Sequence, residues 1–218
     1  MSAVVTPLRF VAFGDSVTVG AKATLNRRRW VNVFANQWEE LSGRMVQMWN
    51  AGVGDNAISP RTTNYAEASQ SSALERVHTD VILRAPHFVT IAFGLNDVRF
   101  GTPVEIFAED LGSIFDSLRA ALPSAQLMAL TAPHMSKFIT FPPRDRGSRE
   151  LTQAYNAAIC HQAARFAIPI ADVAAVMAFK HELVHVDGVH PNDAGQRVIG
   201  TPVLEAVLTH LPHLPKTV

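Results

Sequence analysis

The sequence predicts an α/β protein built on a mostly parallel sheet of about five strands with helices on both faces. Short apolar runs alternate about five times with longer segments whose apolar residues recur at helical spacing. Such alternation favours parallel strands, because each helix carries the chain back across the sheet. The 218 residues contain no linker-like or repeated stretch, so we expect a single domain over residues 1–218.

The first half of the chain supplies three of the predicted strands. Its elements are a strand at 8–13, a helix at 29–41, a strand at 45–49, a weaker helix at about 67–77 and a strand at 88–93. The helix at 29–41 is predicted from Trp30, Phe34 and Trp38, which recur on one helix face, and from Gly43, which follows as its C-cap.

The second half continues the alternation. Its elements are a helix at 103–122, a strand at 126–130, a helix at 148–166, a strand at 168–173 and a helix at 193–211. Pro103 and Pro123 bound the first of these helices, and Ser148 is the candidate N-cap of the next. Pro169 has no backbone N–H to donate, which predicts that the last strand lies at the sheet edge. The stretch 133–147 is irregular, and loops of this length are frequently functional.

Composition excludes several classes of function. Lys plus Arg is 19 and Asp plus Glu is 19, so the formal net charge is zero. This balance argues against nucleic acid as a partner and against a membrane anchor that depends on a polybasic patch. No apolar run approaches the ~20 residues of a membrane helix, and the first residues lack a signal peptide's basic region, so we expect a cytoplasmic protein. The single cysteine, Cys160, excludes an intramolecular disulfide.

Small and polar residues gather where the predicted strands end. The four segments are GDSVTVG at 14–20, NAGVGD at 50–55, GLND at 94–97 and DGVHP at 187–191. Each segment alone is typical of a turn into a helix, and Ser16 alone is typical of an N-cap. Parallel strands, however, bring their carboxyl ends to one edge of the sheet, where such folds bind ligands.

Together the four segments contain the groups that ester hydrolysis by covalent catalysis requires. Ser16 supplies a hydroxyl nucleophile and His190 an imidazole, the usual general base near neutral pH. Asp187 lies three residues before His190 and can orient its ring. The backbone N–H of Gly54 and the side-chain N–H of Asn96 are candidate donors to a developing oxyanion.

The four segments, in this order, resemble the marker blocks of SGNH hydrolases of the GDSL type. The resemblance extends from residue 8 to about residue 200. It implies a flavodoxin-like α/β/α sandwich and hydrolysis of a small-molecule ester without metal or cofactor. By matching positions, it implies Ser16 as nucleophile, His190 as base and Asp187 as the residue that orients the base. It also implies an oxyanion hole made by the backbone N–H groups of Ser16 and Gly54 and the side chain of Asn96.

The two glycines of the second segment leave two questions open. That block in the family often has one more residue before its last glycine, so Gly52 competes with Gly54 for the oxyanion role. We favour Gly54 because the Gly54-Asp55 pair matches the family. The glycines also suit a phosphate site in a nucleotide- or flavin-binding module. Neither dinucleotide-binding nor P-loop motif is present, however, and Asp55 puts negative charge where a phosphate would lie.

A zinc metallohydrolase is the other alternative. His181, Glu182 and His185 form H-E-x-x-H, the zinc metalloprotease signature. The longer form of that motif needs a third histidine at position 191, which is Pro191. The stretch before Asp187 is also short for a helix that presents both histidines on one face. We therefore expect no metal.

The substrate is less determined than the reaction. Glycine and asparagine near Ser16 predict a shallow, open site, which favours small acyl groups such as acetyl, including acetyl esters of sugars or small alcohols. A lysophospholipase or thioesterase is the alternative within the same family. It would use aromatic and cationic residues of the 133–147 loop as an acyl groove and an anion site, namely Lys137, Phe138, Phe141, Arg144 and Arg146.

Overall fold

The computed structural model describes residues 6–69, 71–138 and 140–211. Five parallel strands form one sheet in the order β2-β1-β3-β4-β5. The strands are β1 (Leu8–Gly14), β2 (Val46–Gly52), β3 (Phe88–Ala92), β4 (Gln126–Leu130) and β5 (Ile170–Ala171). This is the flavodoxin-like strand order, so the predicted fold class is confirmed.

Eight α-helices surround the sheet in the described part of the chain. They are α1 (Ser16–Val19), α2 (Trp30–Ser42), α3 (Ala73–Asp80), α4 (Leu95–Phe100), α5 (Val104–Ala121), α6 (Arg149–Arg165), α7 (Val173–Met177) and α8 (Asp193–His210). Helix α8 packs against α2 and α7, while α5 packs against α3 and α6. With the right-handed crossovers that parallel strands almost always have, these two groups are expected on opposite faces of the sheet. None of the helices in the described ranges is long and apolar enough to cross a bilayer.

An aromatic cluster packs the neighbouring strands β1 and β3 against helix α2. The ring of Phe10 on β1 lies 5.1 Å from that of Phe34 and 5.3 Å from that of Phe88, and Trp38 lies 5.4 Å from Phe88. All four side chains are buried. Buried aromatic side chains contribute strongly to stability, and edge-on contacts add to their area burial. The predicted apolar face of α2 is therefore the face that packs on the sheet, and Gly43 ends the helix in the left-handed conformation at φ 64°.

Three predicted elements differ from the observed ones. The strand expected at 45–49 is β2, which extends three residues further, to Gly52. The helix expected at about 67–77 is α3, which begins at Ala73, because Ser72 and Glu75 form a capping box there. The chain at Tyr65–Glu67 forms only a single 3-10 turn. The last strand, expected at 168–173, is the two-residue edge strand β5, because Asp172 caps α7 through the N–H of Ala175. Helices α1, α4 and α7, four to six residues long, are too short for hydrophobic periodicity to predict.

The strand order locates the crevice in which ligands bind in such folds. From β1 the chain passes to β2 on one side, and β3 then returns to the other side of β1. This reversal leaves a crevice at the carboxyl ends of β1 and β3. Helix α1 follows β1 and helix α4 follows β3. Ser16, the first residue of α1, and Asn96, the second residue of α4, therefore both lie at this crevice.

Candidate active site

Ser16 is held at the end of β1 by a short, capped helix. It is the first residue of α1, and it is only 5% exposed. The N-cap is Asp15, whose Oδ1 accepts a hydrogen bond from the N–H of Val17 at 2.9 Å. Gly20 ends the helix in the left-handed conformation. The serine hydroxyl is therefore not used as a cap and is free to bond elsewhere.

The structure brings Ser16, His190 and Asp187 into one hydrogen-bonded series. The Oγ of Ser16 lies 2.9 Å from Nε2 of His190, although 174 residues separate them. The Nδ1 of His190 lies 2.8 Å from Oδ2 of Asp187. The other oxygen, Oδ1, accepts the backbone N–H groups of Val189 and His190 at 2.9 and 3.0 Å. This is the order of hydroxyl, imidazole and carboxylate found in serine hydrolases on unrelated folds.

Asp187 is held in its ionised form. Partial burial alone would raise the pKa of Asp187, but hydrogen bonds from Val189, from the His190 ring and from the His190 N–H together hold that pKa well below its usual range. Lys22 Nζ and His185 Nδ1 also face Oδ2, at 3.9 and 3.5 Å. An ionised Asp187 keeps the proton of the ring on Nδ1, which leaves Nε2 to accept from Ser16.

The two glycines of the second segment have different surroundings. The N–H of Gly52 donates to Oδ1 of Asn50 at 3.0 Å, and a Cβ on Gly52 would lie 2.3 Å from the backbone nitrogen of Val19. Gly52 thus lets α1 pack closely against β2. A Cβ on Gly54 would have no atom of the described residues within 4 Å. Gly54 lines the same cleft as Ser16.

Asn96 presents its side chain to the same cleft from α4. It is 1% exposed. Its Nδ2 donates to the carbonyl of Asn56 at 3.1 Å, and its Oδ1 accepts from Nη1 of Arg99 at 3.3 Å. An amide nitrogen carries two hydrogens, so one remains to donate to a ligand.

Two buried carboxyl groups, those of Asp15 and Asp97, stabilise this edge of the sheet through hydrogen bonds. Burial raises the pKa of Asp15 to about 7, and the nearby charge of Asp97 adds to that rise. Burial likewise raises the pKa of Asp97 to about 6. Oδ1 of Asp97 accepts from the N–H of Ile58 and from the hydroxyl of Thr62, at 3.1 and 2.7 Å. Asp97 therefore ties the loop that follows Gly54 to α4.

Sequence reasoning missed Arg76, which joins the ends of two strands. The buried guanidinium donates to the carbonyl of Gly14 at 2.7 Å, to the carbonyl of Ala51 at 2.8 Å and to Oδ1 of Asn56 at 2.9 Å. It also lies over the ring of Phe13, 4.5 Å from the centroid. An arginine on an amphipathic helix ordinarily faces water. Arg76 does pair with Asp80 on its own helix, with Nη1 2.8 Å from Oδ2, but its other three partners lie in distant segments of the chain. No sequence motif marks such a residue.

The cleft in front of Ser16 has a volume of about 930 Å³. Its second wall comes from the 133–147 loop, of which Lys137, Thr140, Phe141 and Arg144 line the cleft. Arg144 bonds Asp55 through both carboxylate oxygens, with Nε 2.9 Å from Oδ1, and donates to the carbonyl of Glu67. This contact with Asp55 raises the pKa of Arg144. These contacts bind the 133–147 loop to the segments that carry Asp55 and Glu67.

The remaining loop residues expected in an acyl groove lie elsewhere. Phe138 lines two neighbouring depressions beside Arg149. The side chain of Arg146 packs at Gly101, which has φ +70°. Neither Phe138 nor Arg146 lines the cleft that contains Ser16. The predicted groove therefore keeps only three of its five residues.

The H-E-x-x-H segment does not form the helix that a zinc site of that type needs. The chain at His181–Leu183 makes a single 3-10 turn that ends before His185. His181 Nδ1 lies 3.5 Å from Nε2 of His134, whereas His185 faces Asp187. Within the described ranges, no cluster of three or more His, Cys, Asp or Glu side chains is arranged to hold a metal ion.

Comparison with known proteins assigns this chain to the hydrolases that act on ester bonds. The chain belongs to the GDSL-like lipase/acylhydrolase family, whose model matches residues 12–198. The match confirms the family that the four sequence blocks indicated, and with it the predicted enzyme class.

Individual relatives agree with this assignment. The chain is 26% identical over 201 residues to GDSL lipase Rv0518 of Mycobacterium tuberculosis (strain ATCC 25618 / H37Rv), covering 91% of this chain and 80% of that protein. The native aryl esterase of M. smegmatis is similar in structure, with a TM-score of 0.77, 17% identity and coverage of 93% and 99% of the two chains. The psychrotrophic esterase EstA from Pseudoalteromonas sp., in a structure inhibited by monoethylphosphonate, is also similar. Its TM-score is 0.70, its sequence identity is 16%, and the match covers 94% of this chain and 99% of that one. At such identities the two solved structures show a shared fold.

Proposed function

We propose that this protein is a serine-dependent carboxylic ester hydrolase that forms an acyl-enzyme on Ser16. One observation carries the proposal. The series Asp187–His190–Ser16, with contacts of 2.8 and 2.9 Å, ends at a hydroxyl that lines an open cleft. A serine hydroxyl is a weak nucleophile unless a neighbouring base can take its proton, and the series supplies that base.

Catalysis in this proposal proceeds by two acyl transfers. Oγ of Ser16 bonds to the ester carbonyl carbon while Nε2 of His190 takes the hydroxyl proton. The carbonyl electron pair moves to oxygen, and the N–H groups of Ser16, Gly54 and Asn96 stabilise the resulting oxyanion. When the intermediate collapses, the bond to the alcohol breaks and the alcohol leaves with the proton from His190. Water, deprotonated by His190, then attacks the acyl-enzyme, and the acid leaves as Ser16 regains its proton.

The proposed substrates are short-chain acyl esters, such as acetyl esters of sugars or small alcohols. Gly54 and Asn96 beside Ser16 leave room for a small acyl group. A lysophospholipase or thioesterase remains the alternative, and it is favoured by Phe141, which is 57% exposed and lines the cleft. The anion site of that alternative is weakened because Arg144 is already bonded to Asp55.

The test is hydrolysis of 4-nitrophenyl acetate, butyrate and octanoate in the presence of a chelator. We expect the wild type to cleave the short esters, and Ser16→Ala to lower kcat by about 10⁴- to 10⁶-fold. Ser69→Ala is the matched control, because Ser69 lines the same cleft but has no contact with His190. We expect it to retain its activity.

A covalent probe separates the nucleophile from a merely structural serine. An activated ethylphosphonate ester should add one phosphonyl group to the wild type and to Ser69→Ala, but none to Ser16→Ala, as measured by intact-protein mass. Full activity of Ser16→Ala, or loss of wild-type activity to the chelator alone, would show that the proposed mechanism is wrong.

A further inference from the structure

Arg99 carries a buried positive charge that the mechanism above does not use. It lies on α4 and is 6% exposed. Nη1 donates to Oδ1 of Asn96 at 3.3 Å, and Nη2 donates to Oγ1 of Thr140 at 3.2 Å. Its Nε is buried with no hydrogen-bond partner among the described residues. Burial lowers the pKa of Arg99, and no described carboxylate lies within ion-pair distance of it. A buried charge without a direct counter-ion is costly and calls for an explanation.

We propose that Arg99 is a positioning residue that fixes the side-chain amide of Asn96 in the orientation needed by the oxyanion hole. This inference rests on the proposed function of the site. The amide has an acceptor end and a donor end, which differ only by a rotation of about 180°. In the structure the acceptor end, Oδ1, faces the guanidinium, and the donor end, Nδ2, faces the carbonyl of Asn56.

The opposite orientation of Asn96 is excluded by both neighbours at once. A rotated amide would point its N–H groups at the guanidinium of Arg99 and its oxygen at the carbonyl of Asn56. Each of these contacts is repulsive, and both would lie in a buried site where unpaired polar groups are costly. The two neighbours therefore keep the second N–H of Asn96 directed at the cleft, where the oxyanion forms.

The charge of Arg99 also acts on the reaction through this amide. A cation that bonds to the amide oxygen polarises the amide and makes its N–H a stronger donor. The neutral ester gains little from this polarisation, whereas the oxyanion gains much more, because it carries a negative charge in a poorly solvated site. Interactions that strengthen only in the transition state raise kcat rather than lower KM. Arg99 should therefore affect kcat.

The experiment measures kcat and KM on 4-nitrophenyl acetate for Arg99→Met, Asn96→Ala and the double variant. Asn96→Ala should lower kcat by about 10²- to 10³-fold, as for a lost oxyanion donor. Arg99→Met should lower kcat by about 10- to 100-fold and change KM by less than about twofold. In the Asn96→Ala background, Arg99→Met should have no further effect, because Arg99 acts through Asn96. Arg99→Lys, which keeps the charge and can still donate to Oδ1 of Asn96, should recover part of the loss.

Two results would overturn the proposal. One is an equal fall in kcat when Arg99→Met is made in the Asn96→Ala background, since Arg99 would then act independently. The other is a raised KM with unchanged kcat, which would make Arg99 a substrate-binding group. If circular dichroism shows that Arg99→Met is misfolded, Thr140→Val takes its place, because it removes the hydrogen bond that holds Nη2 of Arg99. In that case an unchanged kcat in Thr140→Val would contradict the proposal.

Ser16→Ala, assayed alongside, distinguishes a failure of this inference from a failure of the proposed function. Loss of activity in Ser16→Ala with wild-type kinetics in Arg99→Met would contradict only the role of Arg99. Activity retained in Ser16→Ala would contradict the serine mechanism itself.

Discussion

The two walls of the cleft are built in different ways. The wall that contains Ser16 and His190 is organised by contacts within a few residues of each functional group. Asp15 caps the helix that Ser16 begins, and Asp187 bonds both the ring and the N–H of His190, three residues away. Local contacts of this kind depend on residue type and short spacing. The chemistry of this wall is therefore encoded in short segments of sequence.

The opposite wall, the 133–147 loop, depends on contacts between distant segments. The N–H groups of Ser136 and Lys137 both donate to the carbonyl of Gly188 at 2.9 Å. Further along, Arg144 bonds Asp55, which lies 89 residues away in the sequence. The loop is thus fastened at one end to the turn that carries His190 and at the other to the loop that carries Gly54. Because this wall lines the cleft but holds none of the proposed catalytic groups, we expect it to affect the choice of substrate more than the reaction itself.

The largest expected effect comes from the first wall. His190→Ala should lower kcat by about 10⁴- to 10⁶-fold, and Asp187→Asn by about 10⁴-fold, because the asparagine no longer holds the ring proton on Nδ1. The measurement is kcat on 4-nitrophenyl acetate. His185→Ala is the control, since it faces Asp187 but does not contact Ser16. If Asp187→Asn were as active as the wild type, the carboxylate would not serve as the orienting group.

The same contrast explains how far the sequence could be interpreted. Ser16, Asp187 and His190 are predicted from the four short sequence blocks. The structure places these three side chains in one hydrogen-bonded series. Gly54 and Asn96 are predictable because each closely follows the carboxyl end of a parallel strand, at the same edge of the sheet as Ser16. Their roles as oxyanion donors stay predictions, as do those of the catalytic residues.

Residues whose partners lie far away in the sequence are not marked by any short sequence block. Arg76 bonds the carbonyl of Gly14 across 62 positions of sequence, and Arg99 bonds Thr140 across 41. Each looks like an ordinary helical arginine until the fold is known. The start of α3 was misplaced for a different reason. The Ser72–Glu75 capping box that sets it is a local signal, and it is present in the sequence.

A second prediction separates the two glycines that the sequence left unresolved. Gly52→Ala should lower the free energy of unfolding by about 1–3 kcal/mol, because its Cβ would press on the backbone of α1. Gly54→Ala should leave the free energy of unfolding nearly unchanged, since its Cβ meets open space. It should nevertheless lower kcat, because the methyl group lies beside the proposed oxyanion donor. Denaturant unfolding and esterase kinetics on both variants make the comparison.

The reverse outcome would exchange the roles of the two glycines. A Gly52→Ala protein of wild-type stability with a large loss of kcat would make Gly52 the donor, provided that Gly54→Ala is fully active. The N–H of Gly52 would then have to leave Oδ1 of Asn50, to which it donates in this structure.

The smallest expected effect tests the second wall. Arg144→Ala removes the bond to Asp55 and widens the cleft, so the ratio of kcat/KM for octanoate over acetate esters should rise by about three- to tenfold. Asp55→Asn should give the same change, and asparagine is the suitable replacement because Asp55 has φ 57°, which asparagine tolerates. If Arg144 and Asp55 act as one unit, the double variant should change this ratio no more than either single variant does.

Arg146→Ala is the control on the same loop, because Arg146 lies outside the cleft. An unchanged ratio in Arg144→Ala would mean that the wall holds its position without this bond, and that the width of the cleft is set instead by the backbone contacts to Gly188.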